Sequence, residues 1–326
     1  MSRVDAVHAR LGVVRSRISD ARRADGSLAL ALYTFATAHT VESHNFQSSC
    51  ARIGLPLTVV GTSVPWRSFQ TKIEGYRDLA VAHAADAAAA GVAPPLVFVM
   101  DAYDVVCTKE LAPGVSAPAA LEAAFTALGR DMVVSAERVC LPMNCKPLTR
   151  WWAAQPAVQH DGYKYLNSGL VAARADALAD AWTWVHDNGH ADDQLGLAAW
   201  AEQNVGRVWL DAERVLFQNR FSRGDPLAGY AAWFTHCPGA LGDSKDIHVE
   251  LQRRYVGDDG IVAESRQGAY LLLELLGFGS LAVAVVVIVV AAALLARRCP
   301  PPSPPTSVAT VRTSQTSSPQ TQRRRV

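Results

Sequence analysis

Two carboxylates three residues apart, Asp101 and Asp104, close the stretch LVFVMDAYDVV (Leu96–Val106). Where a strand stops and bends, that spacing turns both side chains toward one point, and hard oxygen donors of this kind suit Mg²⁺ or Mn²⁺. The same pair also fits ordinary turn chemistry or a helix cap. Spacing alone leaves both readings open. The five apolar residues Leu96–Met100 follow Gly91 and the Pro94-Pro95 pair and read as a strand buried on both faces. Ligands of open α/β sheets sit at the carboxyl ends of such strands.

Other residues along the chain have the types that could join such a site. Thr37 and Thr40 end a first apolar run, Leu28–Ala38, where hydroxyls fit either a nucleotide or a turn. Lys72 lies near the N-terminal end of a helix predicted over Ser68–Ala90, with Ser68 as its cap. A cation there opposes the helix dipole, so Lys72 is either a solvated lysine or a contact to an anionic ligand. Gly169, in the segment Tyr165–Val171 that turns into a strand, suits a close backbone approach. Asp192-Asp193-Gln194 open a helix through Gln203, where acidic residues are ordinary capping.

The elements that must position these residues alternate. Helices are expected over Phe46–Ile53 and Pro118–Leu128. Strands are expected at Leu57–Val60, Met132–Ser135 running on to Glu137, Trp209–Asp211, Arg214–Gln218 and Trp233–His236; a loop with Gly239, Gly242 and Lys245 follows. Strand and helix in turn from residue 28 to about 236 imply one α/β domain with a mostly parallel sheet flanked by helices. No GxGxxG follows the first strand, and neither GxxxxGK[ST] nor GxSxG occurs, which argues against dinucleotide, P-loop and serine-hydrolase chemistry.

The net charge of the 326 residues is +1. No basic face is interleaved with aromatics, so no nucleic-acid partner is expected. None of the six cysteines forms a CxxC pair, which argues against a zinc site; Cys140 and Cys145 fit a small disulfide or free buried thiols equally well.

Residues 275–296, LLGFGSLAVAVVVIVVAAALLA, carry no charge and are long enough to span a hydrocarbon core of about 30 Å. The expected organisation is a polar segment 1–26, the α/β domain 27–256, a juxtamembrane linker 257–274, the transmembrane helix 275–296, and a basic Pro/Ser/Thr-rich tail 297–326. Arg297 and Arg298 follow the helix directly. The positive-inside rule therefore puts the tail in the cytoplasm and the large domain in a lumen or outside. Residues 1–26 show no apolar core of a signal peptide, which points the other way.

In order, Ala36-Thr37-Ala38, Gln70-Thr71-Lys72, the FxxDxYDV of Phe98–Val105, Ser135-Ala136-Glu137, Leu166-Asn167-Ser168-Gly169, Asp192-Asp193-Gln194, Leu210-Asp211 through Phe217-Gln218, and His236 with Lys245 resemble the glycosyltransferase domain of the procollagen lysyl hydroxylase and procollagen glycosyltransferase group. The resemblance implies a GT-A-like, Rossmann-like fold, a UDP-sugar donor and Mn²⁺ (or Mg²⁺), with a protein or glycan hydroxyl as acceptor, hydroxylysine-linked or other. It makes Asp101, Asp104 and His236 the metal ligands. Thr37, Lys72, Tyr103 and Lys245 become donor contacts, with Thr37 and Tyr103 on the uridine side and Lys245 at the diphosphate. Asp192 and Asp193 approach the donor sugar, and Glu137 and Asn167 fall near the reacting centre. The chain departs from the group in the longer segment from His236 to Lys245, in Leu170 where the group prefers glycine, and in Leu141-Pro142-Met143-Asn144, which lacks an aromatic. A catalytically inactive binding or scaffold module of the same fold is the competing expectation.

Overall fold

The computed structural model describes residues 2–15, 21–24, 26, 28–138, 162–221, 232–238 and 243–256. All of them fall within one compact unit, Met1–Leu271.

The N-terminal residues, which the sequence marks only as polar, form structure that joins the domain. Helix α1 (Arg3–Leu11) is closed at its start by a reciprocal Ser2–Asp5 capping box, and Asp86 accepts from the amides of Arg3 and Val4 at 3.0 and 3.1 Å. The two-residue strands β1 (Val13–Val14) and β2 (Ala21–Arg22) follow. Next come β3 (Leu28–Phe35), α2 (Val41–Ala51) and β4 (Leu57–Val60).

Helix α3 (Phe69–Ala90) starts where Ser68 accepts from the amide of Gln70 and stops at Gly91. Gly91 is left-handed at φ 66, a conformation that glycine adopts without the Cβ clash other residues incur. Strand β5 (Leu96–Asp101) leads through a bend into β6 (Val105–Cys107), α4 (Ala117–Ala127) and β7 (Met132–Glu137). After the connection come β8 (Tyr165–Arg174), α5 (Ala175–Asp187), α6 (Asp193–Gln203), β9 (Val208–Asp211), β10 (Phe217–Asn219), β11 (Phe234–His236) and α7 (Ser244–Val256).

The main sheet runs β1-β4-β3-β5-β8-β7-β9, with β2 on β3; a small second sheet runs β10-β11-β6. The expectation of a mostly parallel sheet is corrected here. β4, β3 and β5 are parallel, and so are β7 and β9, but β8 is antiparallel to both β5 and β7. Hydrophobic pattern does not encode direction: β8 is buried along most of its length, and an inner strand reads as the same apolar run whichever way it points.

Strand β5 divides its side chains between two cores, as its period of two requires. Val97 and Val99 join Tyr33, Ile73, Tyr76, Leu79 and Trp182 on the face covered by α3 and α5. Leu96, Phe98 and Met100 join Phe46, Leu121, Phe217 and Phe234 on the other face. Both faces are therefore sealed, and truncating Phe98 to alanine would cost about 3–5 kcal/mol. Among the described residues no helix is long and apolar enough to cross a membrane. Residues 257–326, with the expected linker, transmembrane helix and tail, lie outside the described residues, as do Cys140, Cys145, residues 141–144, Gly239 and Gly242.

Candidate active site

Asp101 is the last residue of β5, in register with Phe35 of β3, and Asp104 lies in the bend before β6. His236 is distant in the chain, and strand pairing delivers it. In the antiparallel β11–β6 pair His236 stands opposite Val105, the neighbour of Asp104, and the amide of Cys237 donates to the carbonyl of Asp104 at 2.8 Å. His236 Nε2 ends 3.2 Å from Asp104 Oδ1 and 3.7 Å from Asp101 Oδ2. One donor atom from each residue lies within 4.8 Å of the others.

Two observations show that this trio fits a divalent cation. His236 is buried, yet its Nε2 makes no well-formed hydrogen bond among the described residues and meets only the carboxylate oxygens of Asp104 and Asp101; a buried ring nitrogen left this way is costly unless something fills the gap. Gly169 of β8 supplies the room, because a Cβ there would stand 2.5 Å from His236 Cε1 and 2.7 Å from Asp101 Oδ2. Burial pushes the His236 pKa down, but the carboxylates of Asp104, Asp101 and Glu137 more than reverse this, so it lies above the usual value. Two carboxylates and an imidazole suit Mn²⁺ better than an all-oxygen calcium cage.

Lys72 occupies a place the sequence does not disclose. In the first turn of α3 its ammonium lies 2.5 Å from Asp101 Oδ1 and 2.7 Å from Asp193 Oδ2. Burial alone pushes the ammonium pKa down, and the two carboxylates drive it well above the ordinary value. The lysine is therefore a permanent internal cation that joins a candidate metal ligand to the start of α6. Asp193 Oδ2 also accepts from Ser168 Oγ at 2.8 Å.

A second polar cluster lies alongside. Glu137, fully buried at the end of β7, accepts from Asn167 Nδ2 at 2.8 Å and from Gln194 Nε2 at 2.9 Å, one amide on each oxygen. Asn167 Oδ1 in turn accepts from the amide of Gly169 at 2.8 Å. Asp192 is the N-cap of α6, accepting from the amide of Leu195 at 2.8 Å, and burial raises its pKa. Its side chain caps the helix, while Asp193 faces the site.

Thr37 follows β3 on the same rim, half-buried. Tyr103 packs on the cluster of Ala36, Val59 and Ala102 beside it. Lys245 is exposed in the first turn of α7, whose Ile247, Leu251 and Tyr255 pack on Val106 and Cys237. Among the described residues it forms no ion pair with the trio. The sequence reading missed Asn219 and His248. Asn219 lies 2.8 Å from His236 Nδ1; its only signal is a polar residue ending a short strand. His248, on α7, is buried and its pKa is pushed down to about 4.

A family model described as the PLOD GT domain, the glycosyltransferase of the procollagen lysyl hydroxylase type, matches residues 27–224. The chain belongs to the PLOD GT domain family. It is a glycosyltransferase. The match runs from the residue before β3 to just beyond β10, so Asp101, Asp104, Lys72, Asp193 and Glu137 of this PLOD GT domain lie inside it, whereas His236 and Lys245 lie after it. No curated protein sequence matches the chain. Among solved structures, a glycosyltransferase involved in the glycosylation of the major capsid of PBCV-1 is similar at 13% identity and TM-score 0.38, covering 69% of this chain and 99% of that one. The bifunctional glycosyltransferase WbbM is similar at 9% identity and TM-score 0.38, covering 75% of this chain and 51% of its own.

Proposed function

We propose that this PLOD GT domain transfers a sugar from a UDP-sugar to a hydroxyl on a protein or glycan, with Asp101, Asp104 and His236 holding Mn²⁺ or Mg²⁺. The observation that carries this reading is the buried Nε2 of His236, without a well-formed hydrogen bond, facing two carboxylates across the space left by Gly169. Breaking the bond from sugar to phosphate leaves negative charge on UDP. The cation, when bound, stabilises that charge as a Lewis acid and orients the diphosphate.

The chain's own residues do the rest. Lys245, on the exposed face of α7, adds a positive charge for the diphosphate, and Thr37 and Tyr103 border the uridine. Lys72 pairs with Asp101 and Asp193 and holds them fixed relative to each other. Both oxygens of Glu137 are taken by amides, so Glu137 and Asn167 hold the floor of the site. Asp193, whose two contacts fall on Oδ2, is the carboxylate placed to accept the proton of the acceptor hydroxyl through Oδ1. Asp192 acts through the cap of α6.

Release of UDP from UDP-sugars by the purified chain tests this. Turnover is expected with Mn²⁺, none with chelator, and a loss of at least about 100-fold in Asp101→Ala and Asp104→Ala. Release indifferent to chelator and to both substitutions would sink the cation reading.

The same proposal includes a membrane anchor at residues 275–296 with the basic tail in the cytoplasm, on the strength of the uncharged stretch and the arginines after it. An acceptor asparagine engineered into an exposed loop of the domain becomes glycosylated if the domain is lumenal. Absence of modification would reverse the orientation.

A further inference from the structure

Asn219 stands beside His236 in the parallel β10–β11 pair, and both side chains are buried. Its amide faces two groups. Nδ2 donates to the carbonyl of Ala136 at 2.8 Å, and Oδ1 lies 2.8 Å from His236 Nδ1. A carbonyl oxygen can only accept, so the amide nitrogen must face Ala136 and the amide oxygen must face the imidazole. That oxygen is also an acceptor only. The single proton of the neutral imidazole must therefore sit on Nδ1, which in that form leaves Nε2 with a lone pair directed at the space between Asp101 and Asp104.

We propose that Asn219 is a positioning residue that fixes the tautomer and ring orientation of His236, presenting Nε2 as a ready cation ligand and tying it to the β7 strand that carries Glu137. The logic is that of metal-binding histidines generally, whose other ring nitrogen donates to a fixed oxygen that sets tautomer and basicity. Ala136 supplies the reference point: it pairs with Leu166 in the main sheet, so the Asn219 side chain bridges the small sheet and the main sheet. The proposal rests on the cation reading for its consequence, and on the hydrogen-bond geometry alone for the tautomer.

The two parts are tested separately on the full chain. In metal-free protein labelled with ¹⁵N-histidine, at alkaline pH where the ring is neutral, the His236 signals, assigned with His236→Gln, are expected to show a protonated Nδ1 and a bare Nε2. Asn219→Leu is expected to show a mixture or the opposite tautomer, while Asn219→Asp, which keeps an acceptor, retains the wild-type pattern. Mn²⁺ binding followed by electron paramagnetic resonance is expected to weaken about 10- to 100-fold in Asn219→Leu and by only a few fold in Asn219→Asp. A wild-type ring protonated on Nε2, or a pattern unchanged in Asn219→Leu, overturns the proposal. So does Mn²⁺ affinity untouched by the leucine. If the leucine variant does not fold, Asn219→Ser, too short to reach Nδ1, replaces it with the same expectations. Wild-type protein that binds no Mn²⁺ while showing the Nδ1 proton would refute the cation reading and leave the positioning role standing.

Discussion

A methyl group on Gly169 would stand 2.5 Å from Cε1 of His236, closer than Cβ atoms approach in real structures, with Asp101 Oδ2 and Asn167 Oδ1 within 2.8 Å. Gly169 lies inside β8, where alanine is tolerated by the backbone, so the damage from Gly169→Ala falls on the side chains in front of it. We expect a destabilisation of about 1–3 kcal/mol from overpacking. UDP-sugar turnover should fall by roughly 100-fold, since misplacing reacting groups by an ångström is enough for that. Denaturant unfolding and UDP release, measured on one preparation, check both. Activity near wild type would show that the space in front of Gly169 is not used.

Lys72 makes a different prediction, about an uncompensated charge. Removing the ammonium leaves Asp193, buried to 3% exposure, with Ser168 as its side-chain donor among the described residues. Breaking such a pair costs about 3–5 kcal/mol, chiefly because the remaining charge is stranded. Lys72→Met should therefore be destabilised by that order, and Lys72→Met/Asp193→Asn should be more stable than the single variant. Urea unfolding of the two decides it. A double variant as unstable as the single would mean that the loss does not come from the stranded Asp193 charge.

The contrast between these residues shows what the sequence discloses. Asp101 and Asp104 are legible because the apolar run before them fixes a strand end, and the cap at Ser68 and the pair at Asp192 and Asp193 mark their helices correctly. Those are local signals. The Lys72–Asp193 pair depends on how α3 and α6 meet over the sheet, and no spacing within either helix encodes that. The direction of β8 was equally silent, for the reason that a strand buried on both faces has no polar side to read. Helix α5 was open to detection: Ala175, Leu178, Ala181, Trp182 and Val185 all bury at helical spacing. Asn219 was not, because its role lies in two hydrogen bonds to residues far away in the chain.

The buried pair Tyr33–His83 sets a pH dependence of stability. Tyr33 Oη and His83 Nε2 are 2.8 Å apart, and burial, with a smaller effect of His8, pushes the His83 pKa down to about 4. A base with its folded pKa below the unfolded 6.5 contributes stability that is complete above 6.5 and lost as pH falls through 4. The loss is roughly 3 kcal/mol over that window. Asp211, raised to about 6 by burial, acts in the opposite sense: its contribution is present below the unfolded carboxylate value and fades as pH rises through 6. The comparison of variants isolates the histidine. Unfolding free energies of His83→Gln between pH 7.5 and 4 should fall less steeply than those of wild type. Parallel curves would assign the acid sensitivity elsewhere.

Asp211 also links fold to site. Its carboxylate accepts from the amides of Val215, Leu216 and Phe217 at 2.9, 2.7 and 2.7 Å, gathering the turn that feeds β10, whose last residue is Asn219. Asp211→Ala strands three donors, two of them buried, at about 1–3 kcal/mol for each that water cannot reach. Asp211→Asn keeps one acceptor oxygen but turns a donor nitrogen toward another donor, so it should be intermediate. If the β10 turn holds Asn219 against His236, both variants should weaken Mn²⁺ binding in the same order as they lose stability, even well below their melting temperatures. Isothermal titration at low temperature, set beside urea midpoints, measures the two together. Full Mn²⁺ affinity in a destabilised Asp211→Ala would show that β11 alone seats the imidazole, and would leave Asp211 a role in the fold only.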